Sequence, residues 1–168
     1  MFQPGCPTGF RTGTNDLINT NATLWGSGVG GFNVSFGLQN FPNGLSNMVA
    51  IDEIRSGIDP LDPRGTWALG MVGASLTAVH AFGPNVTGGP DGINSCTMLT
   101  LTYSTAELKR LGMPCGSSPI PANFAATARS LHVGLVNVLK LDGSVQSIND
   151  GISREIWFRL HSKDHFAP

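Results

Sequence analysis

The chain has 168 residues, a net charge of −1 and 12% charged side chains, about half the roughly 25% usual in a soluble domain. At this length one domain is the default, and it can bury a core without metal or many crosslinks. No Lys- or Arg-rich run is present, which excludes a nucleic-acid footprint. The longest apolar stretch, WALGMVGASLTAV, is too short and too Gly-rich to span a bilayer.

Gly, Ser, Thr and Asn replace charge, with 22 Gly and 11 Pro. Such a polar but weakly charged surface suits an extracytoplasmic protein: periplasmic, cell-surface or secreted. The start, MFQPGCPTGF, lacks the basic-then-apolar order of a signal peptide, so an exported form has already shed its targeting segment. Cys6, Cys96 and Cys115 show no C-x-x-C spacing, which argues against a zinc or redox motif. Cys96 and Cys115 flank one segment and are candidates for a disulfide worth about 3 kcal/mol; the alternative is three reduced thiols.

In chain order, residues 1–22 read as irregular. Phe32, Val34 and Phe36 alternate with Asn33 and Ser35 as in a half-buried strand, and NFPNG is a turn. SNMVAIDEIRSG reads mainly as a strand, with Met48, Ala50 and Asp52 on one face and Val49, Ile51 and Glu53 on the other. IDPLDPRG cannot be regular, having two Asp-Pro steps. TWALGMV and SLTAVHAF read as strands around Gly73, and GPNVTGGPDGINS as a long loop. TMLTLTY reads as a strand. STAELKRLGM is a short helix, with Ser104 and Glu107 as its capping box and Gly112 as its stop. PCGSSPIPAN is a loop and FAATARSL a strand.

The C-terminal part is the best defined. VNVLKL-DG-SVQSI reads as a β-hairpin with Asp142 and Gly143 as the two central turn residues. That register sets Leu141 against Ser144, Leu139 against Gln146 and Asn137 against Ile148. Both faces are fairly apolar, so partial cover on both sides is expected. SREIWFRLHS follows as a helix capped by Ser153, with Ile156, Trp157 and Leu160 on one face. The extended strand from Val136 to Asp142 covers ~20 Å. His132 therefore lies at the open end of the hairpin, away from Asp142, and the expectation is a hydrogen bond to backbone or to Asp150 there. The pair is then architecture, not chemistry.

A His, nine residues, then Asp-Gly near the C-terminus resembles the signature of prepilin-like secreted proteins abundant in planctomycete bacteria, whose function is unassigned. His132, Gly134, Asn137, Asp142, Gly143, Ser144, Val145 and Trp157 stand at matching positions. NGLSNMVAIDE, Asn43 to Glu53, is similar to a second segment of that family. Val133 and Leu135 depart from a usual Pro and Gly, and Asn43 from an Asp. The family's leader and long apolar helix have no counterpart here. The resemblance implies a pilin-like α+β head, strand-rich, on an exported filament-forming or surface-layer protein. It implies self-association into an oligomer or filament, membrane contact only through the missing helix, and no enzyme activity.

Other chemistry is weaker. Asp59 and Asp62 in one loop, and Asp91 and Asn94 in another, are oxygen ligands that suit Ca²⁺, although Asp before Pro or Gly is ordinary turn chemistry. No other cofactor is expected. His80 reads as a core histidine, and His161 and His165 as part of a frayed, solvated tail. GSGVGG lacks the G-K-[ST] ending of a phosphate cradle. G-x-S-x-G is missing, which leaves hydrolase chemistry without a nucleophile elbow. The Asn-x-Ser/Thr triplets at Asn21, Asn33 and Asn85 read as composition. The competing function is a module binding carbohydrate or a cell-surface ligand, which Trp25, Trp67 and Tyr103 exposed together on one face would favour.

Overall fold

The computed structural model describes residues 28–29, 36–71, 73–77, 83–88, 91–93, 96–116 and 126–163. Over these residues the fold is α+β. Strands β1 (Val49–Asp52), β4 (Leu135–Lys140) and β5 (Val145–Asn149) form an antiparallel sheet in the order β1-β4-β5. Strands β2 (Asp91–Gly92) and β3 (Cys115–Gly116) pair in parallel, and helices α1 (Cys96–Thr102), α2 (Thr105–Arg110) and α3 (Arg154–Leu160) complete the elements. Among the described residues, no helix is long and apolar enough to cross a membrane.

The β1 segment does not alternate strictly. Its register against β4 shifts between Val49↔Lys140 and Ile51↔Leu139. A bulge adds one residue to one strand and reverses the side-chain parity beyond it. Met48, Val49 and Asp52 are consequently all buried, while Ile51 is exposed. A regular strand would place Val49 and Asp52 on opposite faces.

The hairpin register also differs by one residue from the expected two-residue turn. Leu139 faces Val145, Asn137 faces Ser147 and Val136 faces Ile148. The loop is Leu141-Asp142-Gly143, closed by Lys140 N–H to Ser144 O at 2.8 Å and Gly143 N–H to Lys140 O at 3.0 Å. Only Gly143 of the two turn residues has positive φ, +87°, as in a three-residue loop ending on a left-handed glycine. Asp142 contributes through its side chain instead, accepting from Ser144 N at 2.9 Å and Ser144 Oγ at 2.6 Å. The shift clears one face. Val136, Val138 and Ile148 are buried on one face, whereas on the other Leu135, Asn137 and Leu139 are half-buried and Val145, Ser147 and Asn149 are exposed. The sheet is thus covered mainly on one side and only partly, along β4, on the other.

That covered side packs on α3. Ser153 caps the helix by accepting from Ile156 N at 3.2 Å. Trp157 joins Val49, Ala128, Val136, Val138 and Ile148 in one core, with Leu160 against it. The buried stripe is Trp157, Phe158 and His161, and Ile156 faces out.

A second core holds Ile93, Cys96, Leu99, Leu108 and Cys115. The Cys96–Cys115 disulfide closes it, joining residues 19 apart in sequence with Cα atoms 5.4 Å apart. TMLTLTY, expected as a strand, is α1. Its β-branched threonines favour extended chain when taken singly. Here Cys96 and Leu99 are buried on one helical face, and Thr100 Oγ1 bonds back to Cys96 O at 2.9 Å. Helix α2 has its capping box at Ser104 and Glu107. It ends at Gly112, φ +69°, where Met113 N–H reaches Leu108 O and Gly112 N–H reaches Lys109 O, the paired bonds of a Schellman stop.

Two further strand expectations fail. Residues 66–71 form successive turns, with Gly65 N–H bonded to Gly73 O at 3.2 Å across their base. The described part of FAATARSL has no strand beyond an isolated bridge at Ala126. The expected strand at residues 32–36 and the second half of SLTAVHAF fall mostly or wholly outside the described residues, as do Cys6, Asn21, Trp25, Asn33, His80, Asn94 and His165.

Candidate functional site

His132 precedes β4, and Asp142 lies in the turn beyond its other end. The six-residue strand between them is ~20 Å long, so they form no couple. The partner of His132 is not Asp150 but Glu53: Nε2 lies 3.3 Å from Oε1. Glu53 Oε2 also accepts from Asn137 N at 2.9 Å and Asn137 Nδ2 at 3.3 Å. Ser147 Oγ then donates to Asn137 Oδ1 at 2.8 Å. One polar row thus crosses all three strands on the less covered face, joining His132 and Asn137 to the end of β1.

The open end of the hairpin is locked by Asn85. Its Nδ2 donates to Leu135 O at 3.1 Å and Asp150 Oδ1 at 2.9 Å, and its Oδ1 accepts from Ser130 N at 2.8 Å. Asn85 has φ +51°, a left-handed conformation that Asn tolerates better than most residues. Sequence reading noticed this residue only as part of an Asn-x-Thr triplet.

The calcium candidates Asp62 and Asp91 turn inward and meet arginines. Asp62 takes two bonds from Arg64, Nε to Oδ1 at 2.9 Å and Nη2 to Oδ2 at 2.8 Å. Arg64 Nη1 reaches Asp91 Oδ2 at 3.0 Å, and Arg129 holds Asp91 from the other side. All four side chains are buried. The remaining guanidinium hydrogens meet the carbonyls of Val86, Gly112, Met113 and Pro114. Burial lowers the pKa of Arg64, but the hydrogen bond and charge of Asp62, followed by Asp91, outweigh it and leave the pKa raised. Arg55, bonded to the Leu111 carbonyl, has its pKa lowered by burial and then by the charges of Arg64 and Arg129. Two carboxylates satisfied this way are spent on the fold. Asp59 accepts from Leu61 N at 2.9 Å and Tyr103 Oη at 3.2 Å; that bond raises the Tyr103 pKa. Among the described residues no group of three or more potential metal ligands occurs.

A third cluster sits under Trp157. His161, expected in a frayed tail, is 1% exposed. Its Nδ1 lies 2.8 Å from Trp157 O and its Nε2 2.9 Å from Asp52 Oδ1, while Thr77 Oγ1 donates to Asp52 Oδ2 at 2.8 Å. A carbonyl can only accept, so Nδ1 carries hydrogen. Both ring nitrogens are engaged and Thr77 sits on the carboxylate side.

Besides exposed Leu101, Leu131 and Val133, two exposed features among the described residues bear on function. Among the described residues strand β5 is a sheet edge, and Ser144 to Asn149 contains no ionisable side chain. Trp67, 87% exposed, stands on the turns between Gly65 and Gly73, with Leu61 and Leu69 also exposed. Tyr103 is only partly exposed.

These features define a disulfide-linked α+β protein whose buried charges are committed to its own fold. The chain belongs to the family described as protein of unknown function (DUF1559), whose model matches residues 4–155. No curated protein and no solved structure matches the chain.

Proposed function

We propose that this chain is the pilin-like head of an exported structural protein that works by self-association at a surface and performs no catalysis. The observation that carries this reading is strand β5, which among the described residues is an exposed edge without a charge or proline. Monomeric proteins usually blunt such edges with lysine, proline or a bulge. A weakly charged surface lowers the desolvation cost of close packing, and the Cys96–Cys115 disulfide suits an oxidising compartment outside the cytoplasm. The reading assigns no cofactor, nucleic acid or metal to the chain. Light scattering over a concentration series, followed by electron microscopy, tests it. Oligomers that grow with concentration support it; a strict monomer at high concentration sinks it.

The second reading, a carbohydrate- or surface-ligand module, is favoured by Trp67. A flat aromatic held clear of the surface on a hydrogen-bonded loop can stack on a sugar ring. A glycan titration in which Trp67→Ala abolishes binding would support it, and no binding by the native chain would remove it.

A further inference from the structure

We propose that the self-association is isologous: β5 pairs antiparallel with β5 of a second copy, about a two-fold axis at Gln146, and closes as a dimer. This rests on the self-association proposed above and specifies its contact.

The backbone parity of β5 follows from its ends. Ser144 O accepts from Lys140 N at 2.8 Å, and Asp150 N donates to Gly134 O at 2.9 Å. Backbone groups in an antiparallel strand point to alternate sides. Residues 144, 146, 148 and 150 therefore turn theirs to β4, and Val145, Ser147 and Asn149 turn theirs outward. The Asn149 carbonyl already accepts from Ile152 N at 3.0 Å. Val145 and Ser147 are the outward pair in the exposed stretch. A second β5 laid antiparallel with Val145 opposite Ser147 of the other copy makes four backbone bonds, two for each such pairing. Gln146 then faces its own copy on the axis.

Side chains agree with this register. Val145, 71% exposed, gains a neighbour on the less covered face. No charge lies between Ser144 and Asn149; just beyond the strand this register sets Asp142 opposite Asp150 of the other copy, so the dimer is expected to tighten as salt screens that pair. Among the described residues, the opposite edge of the sheet offers no matching strand. Strand β1 carries its bulge between Val49 and Ile51, and the Glu53 carbonyl beyond it accepts from Arg129 N at 3.0 Å. A head-to-tail filament needs two complementary edges, whereas an isologous pair needs one. Among the described residues β5 is the regular, exposed edge, and the pairing closes.

The test uses the full chain with Cys6→Ser as background. Sedimentation equilibrium is expected to show a monomer–dimer balance. Gln146→Cys is expected to crosslink to itself on mild oxidation, because a non-hydrogen-bonded pair brings Cα atoms to about 4.5 Å, within disulfide reach. Val145→Lys, a surface change that spares the fold, is expected to weaken the dimer about tenfold. Ser147→Pro, which deletes an outward N–H, acts in the same direction, with circular dichroism confirming the fold. Association that ignores Gln146→Cys and Val145→Lys, or that runs on to filaments, overturns the two-fold contact and leaves self-association standing. A strict monomer removes both.

Discussion

Arg129 grips Asp91 with two parallel bonds, Nε to Oδ2 at 2.7 Å and Nη2 to Oδ1 at 2.9 Å, and both side chains are buried. The same carboxylate also receives Arg64, so one acid joins two loops that sequence separates widely. Removing one partner of a buried pair leaves an uncompensated charge, which costs about 3–5 kcal/mol. Asp91→Ala is expected to lose stability in that range by urea denaturation. The Asp91→Ala/Arg129→Ala double variant should lose less than the sum of the two single changes.

Asn85 closes the open end of the hairpin with three side-chain hydrogen bonds in a left-handed backbone conformation. Asn85→Ala loses those bonds and adds backbone strain, for about 2–4 kcal/mol in total. Asn85→Gly relieves the strain alone and should recover about 1 kcal/mol. Equal stabilities for the two variants would show that the backbone conformation contributes nothing.

Cys96 and Cys115 tie α1 to β3 around the second core. A loop of this length contributes about 3 kcal/mol by restricting the unfolded chain. Reduction should lower the melting temperature of the native protein and leave that of the Cys96→Ala/Cys115→Ala variant unchanged.

Two exposed carboxylates report local structure through pH. The Glu107 pKa is lowered by the Ser104 backbone bond and then by the Ser104 hydroxyl. The Asp142 pKa is lowered by the Ser144 hydroxyl and then by the Ser144 backbone. A lowered folded-state pKa favours the ionised fold. Each contribution is therefore present above the ordinary carboxylate range and is lost as pH falls through the lowered value. Carboxyl titration by NMR should place both midpoints below those of unfolded peptides. Ser104→Ala should raise the first and Ser144→Ala the second.

The sequence by itself determined features whose causes lie within a few residues. The Ser104–Glu107 box, the Gly112 stop, the Ser153 cap and the hairpin at Gly143 each depend on neighbours along the chain, and each stands in the structure. Separation of His132 from Asp142 followed from strand length alone. Tertiary structure decided the rest. TMLTLTY became a helix because Cys96 and Leu99 are buried on one helical face, which outweighs the extended preference of threonine. The bulge in β1 reversed the faces that strict alternation assigns, and one residue of turn length did the same in the hairpin. Glu53 beside His132, Asp52 beside His161 and Asp91 between two arginines join positions far apart in the chain. No local spacing encodes such meetings. They exist because burying a charge requires a partner, and the folded chain brings that partner from elsewhere in the sequence.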